Sequence, residues 1–233
     1  MAGFTRKELK HDKFVQEVGQ QYAYFTQHRK AIIGAAVLVI VAIVGVSSWV
    51  GYQRSRASEA REAFQDAVRL YHGSVTTEQR LGYITYATTG ERYRRTSEAL
   101  EKVRLEYSGR DEAVGAQYYL ALLDMERGED DAASQKLEDA ISGGGIYSAL
   151  ARLSLAQLMG KTGEIDKARE HYQHLIDNPS GPVTSDRAKL ELGRLLAKHD
   201  PEAAKPVLES LIETSSPAAG QATTLLRDIS PGT

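Results

Sequence analysis

The chain contains no cysteine, so neither a disulfide framework nor a thiolate metal site is available to it. Proline is scarce and unevenly placed. All six prolines lie at or beyond Pro179, so the preceding 178 residues carry no strong helix breaker. Charge of one sign is also missing. A formal net charge of −2 over 233 residues argues against a nucleic-acid binder that depends on a large basic surface. What is left is a near-neutral chain, long enough for one or two domains and suited to an all-α fold.

One segment departs from this average. Residues 31–52, AIIGAAVLVIVAIVGVSSWVGY, hold no charge across 22 positions. As a helix they would extend ~33 Å, against a bilayer hydrocarbon core of ~30 Å. Arg29 and Lys30 flank one end, and Trp49 and Tyr52 the other, where amphipathic rings favour the membrane interface. The segment reads as a transmembrane helix. A signal peptide cleaved near Val46-Ser47-Ser48 fits less well, because the apolar run exceeds the usual ~7–15 residues. A buried core helix of this length is less fitting still.

The segment divides the chain into three. Residues 1–30 carry six Lys/Arg and three Asp/Glu, a net +3. TRKE at 5–8 has the pattern of a capping box, and Phe14, Val18, Tyr22 and Phe25 recur at helical spacing. This charged, amphipathic tail would lie on a bilayer, dock a partner, or serve as a tether. Residues 53–233 carry the remaining charge, −5 (−2 minus +3), and are numerous enough for a core of their own.

That third region repeats. In GEIDKAREHYQHLIDNP, 163–179, Ala168, Tyr172 and Leu175 share one helix face. Gly128, Ala133, Leu137 and Ala140 match Gly163, Ala168, Tyr172 and Leu175 at a constant offset of 35. Ala99 and Val103 extend the series upstream, and Ala204, Leu208 and Leu211 downstream. A bulky–small pair, Leu120-Ala121, Leu155-Ala156 or Leu192-Gly193, precedes each copy. A period near 34, with small residues where helices approach and bulky ones between layers, is the tetratricopeptide pattern. It predicts helix pairs at 57–72 with 91–107, 111–126 with 130–142, 147–160 with 164–177, and 184–198 with 202–214. A capping helix would follow at 218–229. Asp200 and Pro201 suit an N-cap and first helical position, and Pro206 should kink its helix or delay its start. Ala113 reads as a helix-edge position. The first pair is interrupted at 73–90, a loop long enough to be functional or to shield the first repeat.

A charged N-terminal helix, one span and a short repeat domain, with RASEAREAFQDAVRLYHG running from span to repeats, resemble the bacterial YfgM-like family. The resemblance implies an ancillary subunit of the Sec translocon. It would be anchored with its N-terminus in the cytoplasm and its repeats in the periplasm. Its partners would be the Sec channel and a membrane-anchored periplasmic chaperone of the prolyl-isomerase class. The six Lys/Arg of the tail agree with that orientation. Close to the span, two basic residues on the N side (Arg29, Lys30) face three on the C side (Arg54, Arg56, Arg61).

Motifs for chemistry are sparse. SGGGIYS, 142–148, lacks the Lys-Ser/Thr of a phosphate loop and suits a helix stop. His171 and His174 are three apart but form an incomplete metal site, and Asp130-Asp131 suit a helix start. No catalytic, cofactor or metal constellation emerges, so an enzyme with an unrecognised site is the outlying reading. The leading one is a membrane-anchored protein-interaction scaffold of the cell envelope, contacting lipid through 31–52. Its alternative is a scaffold for outer-membrane or cell-wall assembly. The repeat family's groove positions fall on Tyr118, Leu122 and Met125, then Leu153 and Gln157, then Arg187, Leu190 and Arg194. The family's clamp for peptide carboxylates uses Lys and Asn there. Tyr, Leu and Gln point instead to an apolar segment or partner helix.

Overall fold

The computed structural model describes residues 6–76, 78 and 81–230. Thr5 of the capping box, and the side chains of Phe14, Val18, Tyr22 and Phe25, lie outside what it describes. The first helix, α1 (Arg6–Tyr71), contributes to two units, Met1–Ser58 and Glu59–Thr233.

In the first unit the uncharged run is helical and exposed. Its best 18-residue window has a mean hydropathy of 2.5 and no buried residue. Leu38 is 71% exposed, and even Val50 is 38% exposed. By length and composition this helix could cross a membrane.

The second unit is a helical solenoid. After α1 come α2 (Thr89–Glu106), α3 (Asp111–Arg127), α4 (Asp130–Ser142), α5 (Gly145–Thr162), α6 (Ile165–Asp177), α7 (Ser185–His199), α8 (Pro201–Glu213) and α9 (Ala219–Ile229). From α2 to α9 each helix packs against the next, and α3 also meets α5, as α7 meets α9. The repeat positions account for this stacking. Ala133, Ala168 and Ala204 are all fully buried, as are Leu137 and Leu208, with Tyr172 nearly so. Gly193 shows why the partner position must be small, since a Cβ there would collide with the Leu208 side chain. The upstream copy is out of the expected register: Ala99 is only partly buried, and Thr96, Leu100 and Val103 take the buried positions on α2 with the spacing of Ala168, Tyr172 and Leu175.

The turns follow from local chemistry. Gly128 and Gly163 end α3 and α5 at φ of 75° and 90°, and the next residue donates back across the turn: Glu129 N to Asp124 O at 2.9 Å, Glu164 N to Met159 O at 2.8 Å. This is the Schellman closure that a left-handed glycine permits. At the third turn the Asp200 carboxylate caps α8 by accepting from Ala203 N at 3.2 Å, with Pro201 as the first helical residue. The expected delay at Pro206 does not occur: α8 starts at Pro201 and runs through it. The carbonyl left without a donor belongs to Glu202, an exposed residue on the first turn.

The interruption at 73–90 contains two short parallel strands, β1 (Ser74–Val75) and β2 (Thr85–Tyr86), joined by Ser74 N to Ile84 O and Thr76 N to Tyr86 O, each 3.0 Å. Tyr86 is buried and its hydroxyl donates to Leu70 O at 2.8 Å, fastening the loop to the end of α1. Gly73 makes room for that ring, which occupies the space a Cβ would need. Leu81 and Tyr83, by contrast, are exposed.

Candidate protein-interaction surface

Three first helices of successive pairs, α3, α5 and α7, carry the expected groove positions. Tyr118, Leu122 and Met125 on α3 are half-buried, with Tyr118 and Met125 packing against the core. Gln157 on α5 and Arg187 on α7 are exposed. Leu153 and Leu190 correct the sequence-based expectation: they are 3% and 6% exposed and belong to the core. A leucine at this position is too short to reach past the adjoining helices, and burying it is favourable by ~1.5–3 kcal/mol. Arg194 donates to Glu191 Oε1 at 2.7 Å and also to Gln221, so it pins α7 to α9. Arg187 and Leu190 line a depression of about 330 Å³ between those two helices.

Beside this row lies an aromatic cluster that repeat periodicity does not show. Tyr147 of α5 is 6.2 Å from Tyr118, Tyr118 is 5.4 Å from Tyr119, and Tyr119 is 5.0 Å from Tyr71 of α1, measured between ring centroids. Phe64 of α1 sits beneath, 5.4 Å from Tyr147 and 5.9 Å from Tyr119. Gly115 admits these rings: a Cβ there would be 2.6 Å from Phe64 Cζ and 2.9 Å from Tyr147 Cε2. Edge-to-face pairs of this kind add ~0.5–1.5 kcal/mol beyond burial. Burial raises the pKa values of Tyr119 and Tyr147; it also raises that of Tyr71, whose hydroxyl donates to Glu126 Oε1 at 2.7 Å. All three phenols therefore remain donors at neutral pH.

A polar network joins α2, α3 and α4. Asp124 is buried on α3, where Lys136 of α4 donates to Oδ2 and the Tyr93 hydroxyl of α2 donates to Oδ1 at 3.3 Å. Arg127 lies over the Tyr93 ring, 4.2 Å from its centroid.

A family model, the tetratricopeptide repeat-like domain, matches residues 22–168. The chain belongs to this family. Among solved structures it is similar to the nearly identical TPR-like repeats of a Podosopora anserina chain assigned as a kinesin light chain, and to a point-substituted form of the same repeats. The identities are 15% and 16%. Each comparison covers 74% of this chain and 85% of the other, with a TM-score of 0.54. Likeness at this level concerns the fold. No curated protein matches the chain in sequence.

Within the tetratricopeptide domain, His171 and His174 have no third ligand: among the described residues no group of three His, Asp or Glu side chains could hold a metal. His171 Nδ1 instead lies 3.3 Å from Arg152 Nη1. Arginine can only donate, so Nδ1 accepts and the imidazole proton resides on Nε2. Burial, then the Arg152 charge, hold His171 below the usual imidazole range; His174 adds to this, while Glu170 and Glu138 oppose it. The unfolded chain, with an imidazole pKa of ~6.5, therefore binds a proton more readily than the folded one. Stability is complete above that value and is lost as pH falls through it toward the lower folded value. Thermal melts from about pH 7 to pH 5 should show a falling midpoint that His171→Gln flattens. Identical slopes for the two chains would assign the decline to other groups.

Proposed function

We propose that this protein is a membrane-anchored interaction scaffold of the bacterial cell envelope. Residues 31–52 cross the inner membrane, the tail stays cytoplasmic, and the repeats stand in the periplasm. The observation that carries this reading is a charge-free apolar helix, exposed along its length, in the same chain as a tetratricopeptide domain. Stacked helix pairs of this type act chiefly as surfaces for other proteins. The resemblance to YfgM-like proteins supports the Sec channel and a membrane-anchored periplasmic chaperone as partners. The total positive charge of the tail agrees with an N-in orientation. Of the groove positions, Tyr118, Leu122, Met125, Gln157 and Arg187 remain accessible to a partner.

The test is photo-crosslinking from position 122 in native membranes, with the products identified. Sec-channel subunits should dominate. Outer-membrane or cell-wall assembly proteins in their place would favour the alternative scaffold. In the same membranes, protease added to spheroplasts should digest the repeats. The chain should resist alkaline extraction and keep its N-terminus. A mature protein beginning near Ser48, or repeats protected until the inner membrane is broken, would refute the anchor or its orientation.

A further inference from the structure

The tyrosine row has features that a general apolar patch would not need. The rings of Tyr147, Tyr118, Tyr119 and Tyr71 run across three first helices, and each is half-buried. Mutual packing holds them, so little side-chain freedom remains to be lost on binding. Among the described residues the hydroxyls of Tyr118, Tyr119 and Tyr147 make no hydrogen bond, and none is a buried unsatisfied atom. They are therefore open to solvent and free to donate to a partner's acceptor. Successive centroids are 6.2, 5.4 and 5.0 Å apart, so alternate rings are separated by no more than two such steps. One polyproline II turn, about 9 Å for three residues, falls within that bound.

Charge further narrows the occupant. The Tyr147 end is bordered by Asp111 and Glu112, whose charges both reach its phenol. Glu112 is shared with Arg61 at 3.5 Å, while Asp111 has no ion pair among the described residues. An α-helical partner has already committed its carbonyls to its own backbone. A polyproline II strand leaves every carbonyl bare, and its prolines present flat apolar faces to aromatic rings.

The geometry points to a binding site for an extended, proline-rich segment in the polyproline II conformation, with a Lys or Arg meeting Asp111 at the Tyr147 end. This deepens the scaffold reading and rests on it. It replaces the partner helix with a strand whose prolines stack on the tyrosine row and whose carbonyls accept from Tyr118, Tyr119 and Tyr147.

The test uses the full chain in detergent and a fluorescein-labelled, C-terminally amidated peptide, one arginine followed by seven prolines, read by fluorescence polarisation. It should bind at least about tenfold more tightly than an arginine followed by seven glycines and serines. Tyr118→Ala and Tyr147→Ala should each weaken it about tenfold. Tyr147→Phe, which keeps the ring and the packing, should weaken it less but measurably. Asp111→Asn, at an exposed first-turn position, should remove the preference for arginine over glutamate at the peptide's end. Binding of the glycine–serine peptide equal to that of the proline peptide would overturn the inference. So would unchanged binding in tyrosine variants that retain their helical circular dichroism. Membrane crosslinks that persist while the proline peptide fails to bind would also overturn this ligand class, yet leave the scaffold standing.

Discussion

Replacing Ala168 with leucine should lower the melting midpoint of the repeat domain by ~2–12 °C. Ala168 is fully buried on α6 in the main core. Leucine adds three carbons where none are accommodated, and overpacking of this kind costs ~1–3 kcal/mol. For a domain of this size each kcal/mol shifts the midpoint by ~2–4 °C. Ala133→Leu, the equivalent change on α4, should behave alike. Gln173→Leu, exposed on the same helix as Ala168, is the control, and melts followed by circular dichroism would compare them. If all four proteins melt together, the assigned repeat register is wrong. Ala113, which reads as a helix-edge position, would have misled as a control: it is 7% exposed.

Lys136→Met should cost ~3 kcal/mol through a different cause. Asp124 has only 3% of its side chain exposed, and Lys136 supplies its counter-charge from α4. Removing the lysine leaves a buried carboxylate supported only by the 3.3 Å bond from Tyr93, and an uncompensated buried charge is among the most destabilising of single changes. Lys136 itself is 29% exposed, so the loss is placed at the lower end of the range for fully buried pairs. Asp124→Asn in the same chain should restore part of the stability, since an amide can still accept from Tyr93 without carrying charge. A double variant no more stable than Lys136→Met would show that the lysine acts through packing of its stem rather than through the ion pair.

The two experiments concern features of unequal visibility in the sequence. Ala133, Ala168 and Ala204 could be read directly, because close helix packing demands a small residue once per repeat and so writes a period into the chain. Gly128 and Gly163 are legible for a related reason, since these two copies end their first helix on a left-handed glycine at the same repeat position. Asp124 and Lys136 follow no period: Asp124 belongs to one helix end only, and its partners Tyr93 and Lys136 come from the helices on either side. The tyrosine row is likewise out of register. Tyr118 occupies a repeat position, but Tyr119, Tyr147 and Tyr71 do not correspond to one another, and the remaining hint was compositional: twelve tyrosines against four phenylalanines. Leu153 and Leu190 were misassigned because equivalent positions suggest equivalent exposure. The side chain decides otherwise, a tyrosine reaching the surface where a leucine stays beneath it.

The neighbour-to-neighbour packing from α2 to α9 also governs how the domain forms. No helix in that series needs a contact farther away than the next helix but one. Its contact order is therefore low, and chains of that kind close their loops cheaply and fold fast. Each helix finds the preceding one already in place as the polypeptide is delivered from its N-terminal end. The stack can grow one hairpin at a time, with little apolar surface left waiting for a distant partner.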